Sequence, residues 1–213
     1  MFEYVQERDT KTRLLPRTVI YVVTHGESET AWGGDLTERG ANQVKELARS
    51  RVIAGVSAVY SSLSEAAVRT AEIIGEELDC RSGTRECLEG VDSSKSPEWW
   101  KEHIRMMWED ETYQPDDGES FMDLKHRLGD CANGIVTKHP NEGIVIVLDP
   151  LTAVLFDNLV TARVILMRDW LSIGHASCAS YEYARTWALV IPYDNSFLSD
   201  PTTVADVLPD GIL

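Results

Sequence analysis

Three polar side chains that can take part in acid–base or nucleophilic chemistry lie just beyond short apolar segments of the sequence. His25, Ser62 and Asp149 each come within two residues of the end of a run that predicts a buried strand. Because the carboxyl ends of parallel strands meet at one edge of a sheet, we expect these side chains to lie close together. An imidazole beside a carboxylate can accept and return a proton near neutral pH. The sequence therefore predicts a histidine-centred site at this edge.

The predicted catalytic groups are His25, Asp149 and Glu86. We expect Asp149 to hold the imidazole of His25 in one tautomer and to raise its pKa, which would make it a general base. Glu86 lies in a loop that Trp99 and Trp100 are expected to flank, and partial removal from water would suit it to donate a proton. A base and an acid on opposite sides of a pocket suit isomerisation, dehydration, cyclisation or hydrolysis.

Other residues are predicted to bind the substrate rather than to react with it. Thr24 and Ser62 carry hydroxyls that can hydrogen-bond an uncharged oxygen. Glu119, which follows Gly118, is expected at the mouth of the pocket, and Arg69 is the predicted basic contact. No metal and no cofactor are expected, because the catalytic set lacks the spacing of a metal-binding motif.

Strand-like and helix-like segments alternate along the chain, which predicts an α/β fold with three layers and a mostly parallel central sheet. The predicted strands cover residues 18–23, 56–60, 144–148, 179–183 and 186–191. The predicted helices are one that Thr37 caps, 64–78, 97–110, 119–138 and 150–160, and residues 79–96 are expected to be irregular. The aromatic-rich segment 97–110 is predicted to pack in the core, with a lid over the site as the alternative. We expect residues 1–17 to form an N-terminal arm and residues 18–213 a single domain.

The charge of the chain disfavours two classes of partner. Its 213 residues include 20 Lys and Arg against 35 Asp and Glu, which gives a formal net charge of −15. Such a field repels nucleic acid and anionic membrane surfaces, and no apolar run reaches the ~18 residues that span a bilayer. We therefore expect a small-molecule substrate, no nucleic acid and no membrane partner, and the sequence is compatible with a homo-oligomer.

The cysteines and the N-terminal residues predict the cellular location of the protein. Cys80, Cys87, Cys131 and Cys178 form no CxxC pair, and the first nine residues lack the apolar core of a signal peptide. We therefore expect reduced thiols and a cytoplasmic protein.

A series of motifs resembles, in order and spacing, those of the histidine phosphatase superfamily, the phosphoglycerate-mutase-like fold. The matching segments are 22–28 (VVTHGES), 36–40 (LTERG), 59–62 (VYSS) with 70–74 (TAEII), 85–90 (RECLEG), 118–120 (GES) and 192–195 (PYDN). The resemblance runs from about residue 18 to residue 198 and implies the same three-layer fold.

The resemblance also implies roles for particular residues. In this family a histidine attacks a phosphoryl group, two arginines and a second histidine hold the phosphate oxygens, and a carboxylic acid protonates the leaving oxygen. By position, His25 is the nucleophile and Glu86 is the acid. Thr24 and Ala66 occupy the positions of the two arginines, and Asp149 occupies that of the second histidine. A phosphate dianion would thus lose its cationic partners and face a carboxylate.

These replacements favour an enzyme with altered chemistry over a phosphatase. The prediction is a repurposed acid–base enzyme that acts on a small non-phosphorylated metabolite through His25, Asp149 and Glu86. One alternative is a phosphomonoesterase whose lost cations are supplied by Arg13, Arg17, Arg69 or Arg85. Another alternative is a pseudoenzyme that binds a ligand or a protein without turnover. His175 is predicted to lie away from the site, because it follows the carboxyl end of no predicted strand.

Overall fold

The computed structural model describes residues 16–30, 33–91, 95–116 and 118–208, which form a six-stranded sheet with helices on both faces and a two-stranded ribbon. The strands are β1 (Thr18–Thr24), β2 (Ser28–Thr30), β3 (Gly33–Leu36), β4 (Val56–Ser61), β5 (Arg81–Thr84), β6 (Gly143–Leu148), β7 (Cys178–Tyr183) and β8 (Trp187–Asp194). The helices are α1 (Glu38–Arg49), α2 (Glu65–Leu78), α3 (Pro97–Glu109), α4 (Phe121–Val136), α5 (Pro150–Thr161), α6 (Met167–Ser172) and α7 (Val204–Val207), with a short 3₁₀ helix at Glu86–Leu88. The predicted α/β class with a mostly parallel sheet is confirmed.

β1 lies inside the sheet, and its two neighbours determine what surrounds its carboxyl end. The strand order is β5-β4-β6-β1-β7-β8. β1, β4, β5 and β6 run parallel to one another, whereas β7 runs antiparallel to β1. The amino end of β7 therefore lies beside the carboxyl end of β1, with Cys178 opposite Val23.

Alternating side chains of β6 enter two hydrophobic cores, one on each face of the sheet. Ile144, Ile146 and Leu148 pack in the core formed with α3, α4 and α5. Val145 and Val147 pack in the core formed with α1 and α2. A strand that is buried on both faces is apolar at every position, which explains why the sequence predicts β6 so clearly.

Polar N-caps determine where several helices begin. The side chain of the residue before the helix accepts a hydrogen bond from the backbone N–H three residues on at Thr37 (α1), Ser96 (α3), Ser120 (α4) and Asp149 (α5). Each of these bonds satisfies an N–H group that has no partner within its helix. The predicted cap at Thr37 is confirmed, and Asp149 has a structural role at the start of α5.

The predicted elements differ from the structure where the sequence pattern is weak. Residues 79–96, expected to be irregular, contain β5 and the 3₁₀ helix, and the sequence does not predict α6 or α7. β5 reads Arg-Ser-Gly-Thr and is largely exposed at the edge of the sheet, so it has no apolar pattern. α6 and α7 have six and four residues, too few to show a helical period. α3 packs in the core through Trp100, Ile104 and Met107, as predicted.

The prediction of reduced thiols is wrong for one pair of cysteines. Cys87 and Cys131 form a disulfide between the 3₁₀ helix and α4, with their Cα atoms 5.7 Å apart, whereas Cys80 and Cys178 are free. The two partners are 44 residues apart in sequence, so only the packing of the segment 86–88 on α4 brings them together. The cysteines therefore no longer support a cytoplasmic location, which stays a prediction.

Two further predictions meet the structure only in part. Of the predicted N-terminal arm, residues 1–15 lie outside the described residues. Among the helices of the described residues, none has the length and apolar character needed to cross a membrane.

Candidate active site

A small cavity lies at the carboxyl ends of β1 and β6, where the sequence predicts the site. It encloses about 50 Å³, which is room for a group of a few non-hydrogen atoms. His25 and Asp149 reach it from the ends of the two strands, Ser64 and Ala66 from the start of α2, and His175 from the segment before β7. The wall also includes Glu89, Gly90, Val91, Trp100 and Trp170.

The loop that carries His25 is held against the start of α1 by two glycines. A Cβ atom on Gly40 would overlap the carbonyl oxygen of Glu27, and one on Gly26 would lie 2.5 Å from the carbonyl oxygen of Gly40. The carboxylate of Glu27 also accepts a hydrogen bond from the hydroxyl of Thr37 at 2.9 Å. The backbone crossing explains why the motifs 22–28 and 36–40 both contain a glycine.

His25 has a neutral imidazole whose tautomer is defined. Its Nδ1 atom lies 2.7 Å from the carbonyl oxygen of Gly26. Because a carbonyl oxygen can only accept, Nδ1 carries the proton and Nε2 keeps a lone pair. Burial lowers the pKa of His25 below 6.5, so the ring is neutral at pH 7. A neutral imidazole with a lone pair on Nε2 is able to act as a base or as a nucleophile.

The relation between His25 and Asp149 differs from the prediction. Both residues line the cavity. The charge of Asp149 does favour the protonated imidazole, but burial has the larger effect and the pKa of His25 is lowered. The carbonyl of Gly26, not Asp149, selects the tautomer. The expected raised pKa is therefore wrong, because the enclosed cavity disfavours the charged ring more than one carboxylate favours it.

Asp149 is held in place by the helix that it caps. Its Oδ1 atom accepts a hydrogen bond from the backbone N–H of Thr152 at 2.9 Å, and its Oδ2 atom accepts one from the hydroxyl of Thr152 at 2.5 Å. Gly90 packs directly on this carboxylate, since a Cβ atom there would overlap Oδ2. The carboxylate thus presents a fixed negative charge to the cavity.

Glu86 does not lie where the sequence predicts. Its side chain is exposed at the start of the 3₁₀ helix and does not line the cavity, so the expected removal from water beside Trp99 and Trp100 is wrong. Glu89 lines the cavity instead, and its Oε1 atom accepts a hydrogen bond from the backbone N–H of Leu63 at 2.8 Å. Because residues 86–88 form a 3₁₀ helix, Glu89 rather than Glu86 reaches the cavity. A catalytic role for Glu86 stays a prediction, but Glu89 is the glutamate at the cavity.

The two predicted hydroxyl ligands are buried and bond to the protein. The hydroxyl of Thr24 donates to the carbonyl oxygen of Gly174 at 2.8 Å and accepts from the backbone N–H of Ser177 at 2.9 Å. The hydroxyls of Ser62 and Ser64 lie 3.2 Å apart, and of these two serines it is Ser64 that lines the cavity. Thr24 thus fastens the segment before β7 to the end of β1.

The two predicted charged ligands form ion pairs outside the cavity. Arg69 pairs with Glu72 at 3.1 Å on the exposed face of α2. Glu119 pairs with Arg127 of α4 at 2.6 Å. Arg127 in turn donates to the carbonyl oxygen of Glu89 at 2.9 Å. Glu119 therefore supports the cavity wall through Arg127 rather than lining it.

None of the described residues that line the cavity is a lysine or an arginine. Of the other arginines considered as substitutes, Arg17 pairs with Glu182. The guanidinium of Arg85 lies over the ring of Tyr60, 4.7 Å from its centre, and Arg13 lies outside the described residues. The N-terminal ends of α2 and α5, which border the cavity, supply a weaker positive potential.

His175 belongs to the site, contrary to the prediction. It lines the cavity, and the centre of its ring lies 5.8 Å from that of the His25 ring. Burial and the neighbouring His25 lower the pKa of His175 to about 3. The prediction assumes that only carboxyl ends of strands reach this edge. Because β7 is antiparallel to β1, its amino end lies there as well, and the direction of β7 is not visible in the sequence.

Comparisons with known proteins agree with the fold. A model of the histidine phosphatase superfamily (branch 1) matches residues 20–186. YhfR of Bacillus stearothermophilus is similar in structure, with 22% identity, a TM-score of 0.71 and coverage of 84% of this chain and 98% of that one. A phosphoglycerate mutase from Bacillus anthracis has 16% identity and a TM-score of 0.69, with coverage of 86% of this chain and 96% of that one. A phosphoserine phosphatase mutant from Entamoeba histolytica has 16% identity and a TM-score of 0.69, with coverage of 85% of this chain and 99% of that one. No curated protein matches the chain.

At such low identity these solved structures show a shared fold alone. Two of the three are a mutase and a phosphatase by name. The match to the histidine phosphatase superfamily is nearer to the phosphatase alternative than to the predicted non-phosphatase enzyme. The comparisons do not test the predicted site residues.

Proposed function

The chain belongs to the histidine phosphatase superfamily, and on that premise we propose that it is an enzyme whose neutral His25 acts on a small ligand other than a phosphate dianion. The imidazole accepts a proton from the ligand or from water, or attacks the ligand directly. Isomerisation, dehydration, cyclisation and hydrolysis of a non-phosphorylated metabolite are reactions of this kind.

The charge of the cavity is the observation that carries the proposal. Its described wall contains two imidazoles and two carboxylates but no lysine or arginine. Phosphoryl transfer depends on dense positive charge around the phosphate oxygens. A carboxylate ~4 Å from a phosphate oxygen costs about 4 kcal/mol per unit charge at an effective dielectric of about 20. An uncharged or cationic group meets no such cost.

The remaining wall residues suit this chemistry. The charge of Asp149 favours the protonated form of His25, so it stabilises the imidazolium that forms when His25 takes a proton. Glu89 is the second carboxyl group at the cavity and can exchange a proton with the ligand. A shallower depression of about 420 Å³ shares Ser64, Glu89 and Gly90 with the cavity, so it gives room for the rest of a substrate whose reacting group is small.

A phosphomonoesterase is the second candidate function. The comparisons favour it over the first, and the lone pair on Nε2 of His25 suits attack on phosphorus. Nε2 would form a bond to phosphorus as the P–O bond to the alcohol breaks and the leaving oxygen takes a proton from water, and a second water would then break the P–N bond and release phosphate. Loss of one fixed donor to developing charge typically costs about 2.7–4 kcal/mol. With Thr24 and Ala66 where the resemblance implies arginines, we expect a slow phosphatase at best.

Two generic esters distinguish the candidates. Release of p-nitrophenolate from p-nitrophenyl acetate and from p-nitrophenyl phosphate is measured for the wild type, for His25→Ala and for His126→Ala, which alters an exposed histidine on α4. We expect hydrolysis of the acetate that His25→Ala abolishes and His126→Ala preserves, with no such activity on the phosphate. His25-dependent hydrolysis of the phosphate replaces the first function by the second. No His25-dependent activity on either ester contradicts hydrolysis by either candidate and favours a pseudoenzyme.

A further inference from the structure

His175 is a buried polar side chain that neither candidate function uses. The residue is 2% exposed and lines the cavity. The carbonyl oxygen of His25 is near enough to favour the protonated ring. Even so, in the part of the chain that the structure describes, neither Nδ1 nor Nε2 of His175 has a partner with hydrogen-bonding geometry. Buried polar groups are nearly always bonded, so this pair of unsatisfied nitrogens calls for a partner in the cavity.

Hydrogen bonds hold the backbone on both sides of His175 in place. The N–H of His175 donates to the carbonyl oxygen of Thr202 at 2.8 Å, and the N–H of Ala176 donates to that of His25 at 3.0 Å. Ala176 has a φ of 47°, a left-handed conformation that is unfavourable for alanine and persists only where the surroundings enforce it. Strain of this kind collects at functional sites.

The side chain of Thr24 also holds the segment 174–177 in place. Its hydroxyl bridges the carbonyl oxygen of Gly174 and the N–H of Ser177, the residues on either side of His175 and Ala176. Thr24, which stands where the resemblance implies an arginine, therefore holds His175 at the cavity.

We propose that His175 is a ligand-binding residue of this site, which hydrogen-bonds a polar group of the ligand held at His25, and that Thr24 is its positioning residue. The inference rests on the proposed function, because it takes the cavity at His25 as the place where the ligand reacts. The second imidazole of the site thus comes from the segment before β7 and not from the end of β6.

The chemistry of a neutral imidazole limits the ligand. His175 is neutral at pH 7 because burial lowers its pKa to about 3, so its ring offers one N–H donor and one lone pair. The matching group carries both an acceptor and a donor, as do a hydroxyl, a carboxamide or a protonated acid. The cavity of about 50 Å³ admits only a small group of this class.

The first test observes both histidines directly. Ring signals of His25 and His175 are followed by NMR in protein with labelled histidine, assigned with His25→Ala and His175→Gln, during titration with acetamide and, separately, with sodium phosphate. We expect both rings to respond to acetamide with a single Kd. A joint response to phosphate alone supports the role of His175 but replaces the first candidate function by the second. A response of His25 alone overturns the inference and leaves the proposed function in place. If neither ring responds to either probe, the cavity is not a ligand site and both proposals fall.

The second test separates binding from structure. His175→Phe removes both unsatisfied nitrogens, so we expect an unchanged or higher melting temperature together with a Kd for the same probe that is about tenfold weaker. His175→Gln keeps a donor and an acceptor and should recover part of the affinity. Equal Kd values for wild type and both variants overturn the inference, as does a weaker Kd that only follows a fall in melting temperature.

Variants of Thr24 test the positioning role. Thr24→Val keeps the shape of the side chain but lacks the hydroxyl, and we expect about tenfold weaker probe binding and shifted ring signals of His175. Thr24→Ser restores the hydroxyl and should restore both. Ring signals of His175 that are the same in Thr24→Val and the wild type contradict this role.

Discussion

Ala66 occupies a place in the cavity wall where the family resemblance implies an arginine. It lies on the first turn of α2 and is 1% exposed. We expect Ala66→Arg to bring a guanidinium to the space beside His25 and to produce a hydrolysis of p-nitrophenyl phosphate at least about tenfold above the wild-type background. Steady-state release of p-nitrophenolate measures the change.

The matched control is Ala66→Gln, which adds polar length without charge. The gain should be absent in this variant and should disappear when His25→Ala is combined with Ala66→Arg. Equal rates for Ala66→Arg and Ala66→Gln would show that the missing cation does not limit phosphoryl chemistry in this cavity.

The buried histidines make stability depend on pH in a definite direction. In the unfolded chain an imidazole binds a proton near pH 6.5, but the folded state holds His25 and His175 neutral, with the pKa of His175 lowered to about 3. Above pH 6.5 both states are neutral and the effect is nil. Below pH 6.5 the unfolded state binds more protons, so His175 lowers the free energy of unfolding by about 1.4 kcal/mol per pH unit down to about pH 3. His25 acts in the same direction.

Urea unfolding between pH 6 and pH 4 measures this dependence. We expect His175→Gln to reduce the slope of unfolding free energy against pH by about 1.4 kcal/mol per unit, the contribution of one proton. Carboxylates remote from this ring cancel in the difference, whereas Asp206, whose pKa the charge of His175 helps to lower, does not cancel fully. Parallel slopes would mean that His175 is protonated as readily in the folded as in the unfolded chain.

At the scale of elements, the crossing of the loop after β1 over the start of α1 holds His25 in place. A Cβ atom on Gly40 would overlap backbone atoms of Glu27, which cannot move aside as the end of a flexible side chain can. We expect Gly40→Ala to cost about 1–3 kcal/mol of stability and to slow the reaction of His25. Gly134→Ala on α4 is the control, because its Cβ would meet nothing within 4 Å, and there alanine should be neutral or slightly stabilising. Equal effects of the two substitutions would refute the role of the crossing.

The elements that the sequence predicts well are those with a local physical signal. β6 is apolar at each position because it is buried on both faces, and α1 has both a cap at Thr37 and an apolar stripe. β5 and α6 depend on neighbours for their stability and have little pattern of their own. The place of His175 depends on the direction of β7, and that of Glu86 on the turn of a 3₁₀ helix, which are tertiary facts. The sequence therefore predicts the edge of the sheet and His25 but not the full set of side chains there.

At the scale of the whole molecule, the disulfide ties to α4 the segment 86–91, of which residues 89–91 line the cavity. The bond between Cys87 and Cys131 spans 44 residues, and closing a loop of that length stabilises a protein by about 2–4 kcal/mol. We expect dithiothreitol to lower the free energy of unfolding of the wild type by this amount. The double variant Cys87→Ser/Cys131→Ser should have the lower value with or without the reductant, and Cys80→Ser, which alters a free thiol, should behave as the wild type. A wild type that is indifferent to dithiothreitol would contradict the contribution of the bond.

The antiparallel course of β7 has a consequence for how distant relatives are compared. By the family resemblance, the position of the second histidine is occupied by Asp149. A second imidazole, that of His175, nevertheless lies beside His25, and it comes from the segment that enters β7 in the opposite direction to β1. A comparison by sequence position alone would not register this imidazole, because it reaches the cavity from another part of the chain.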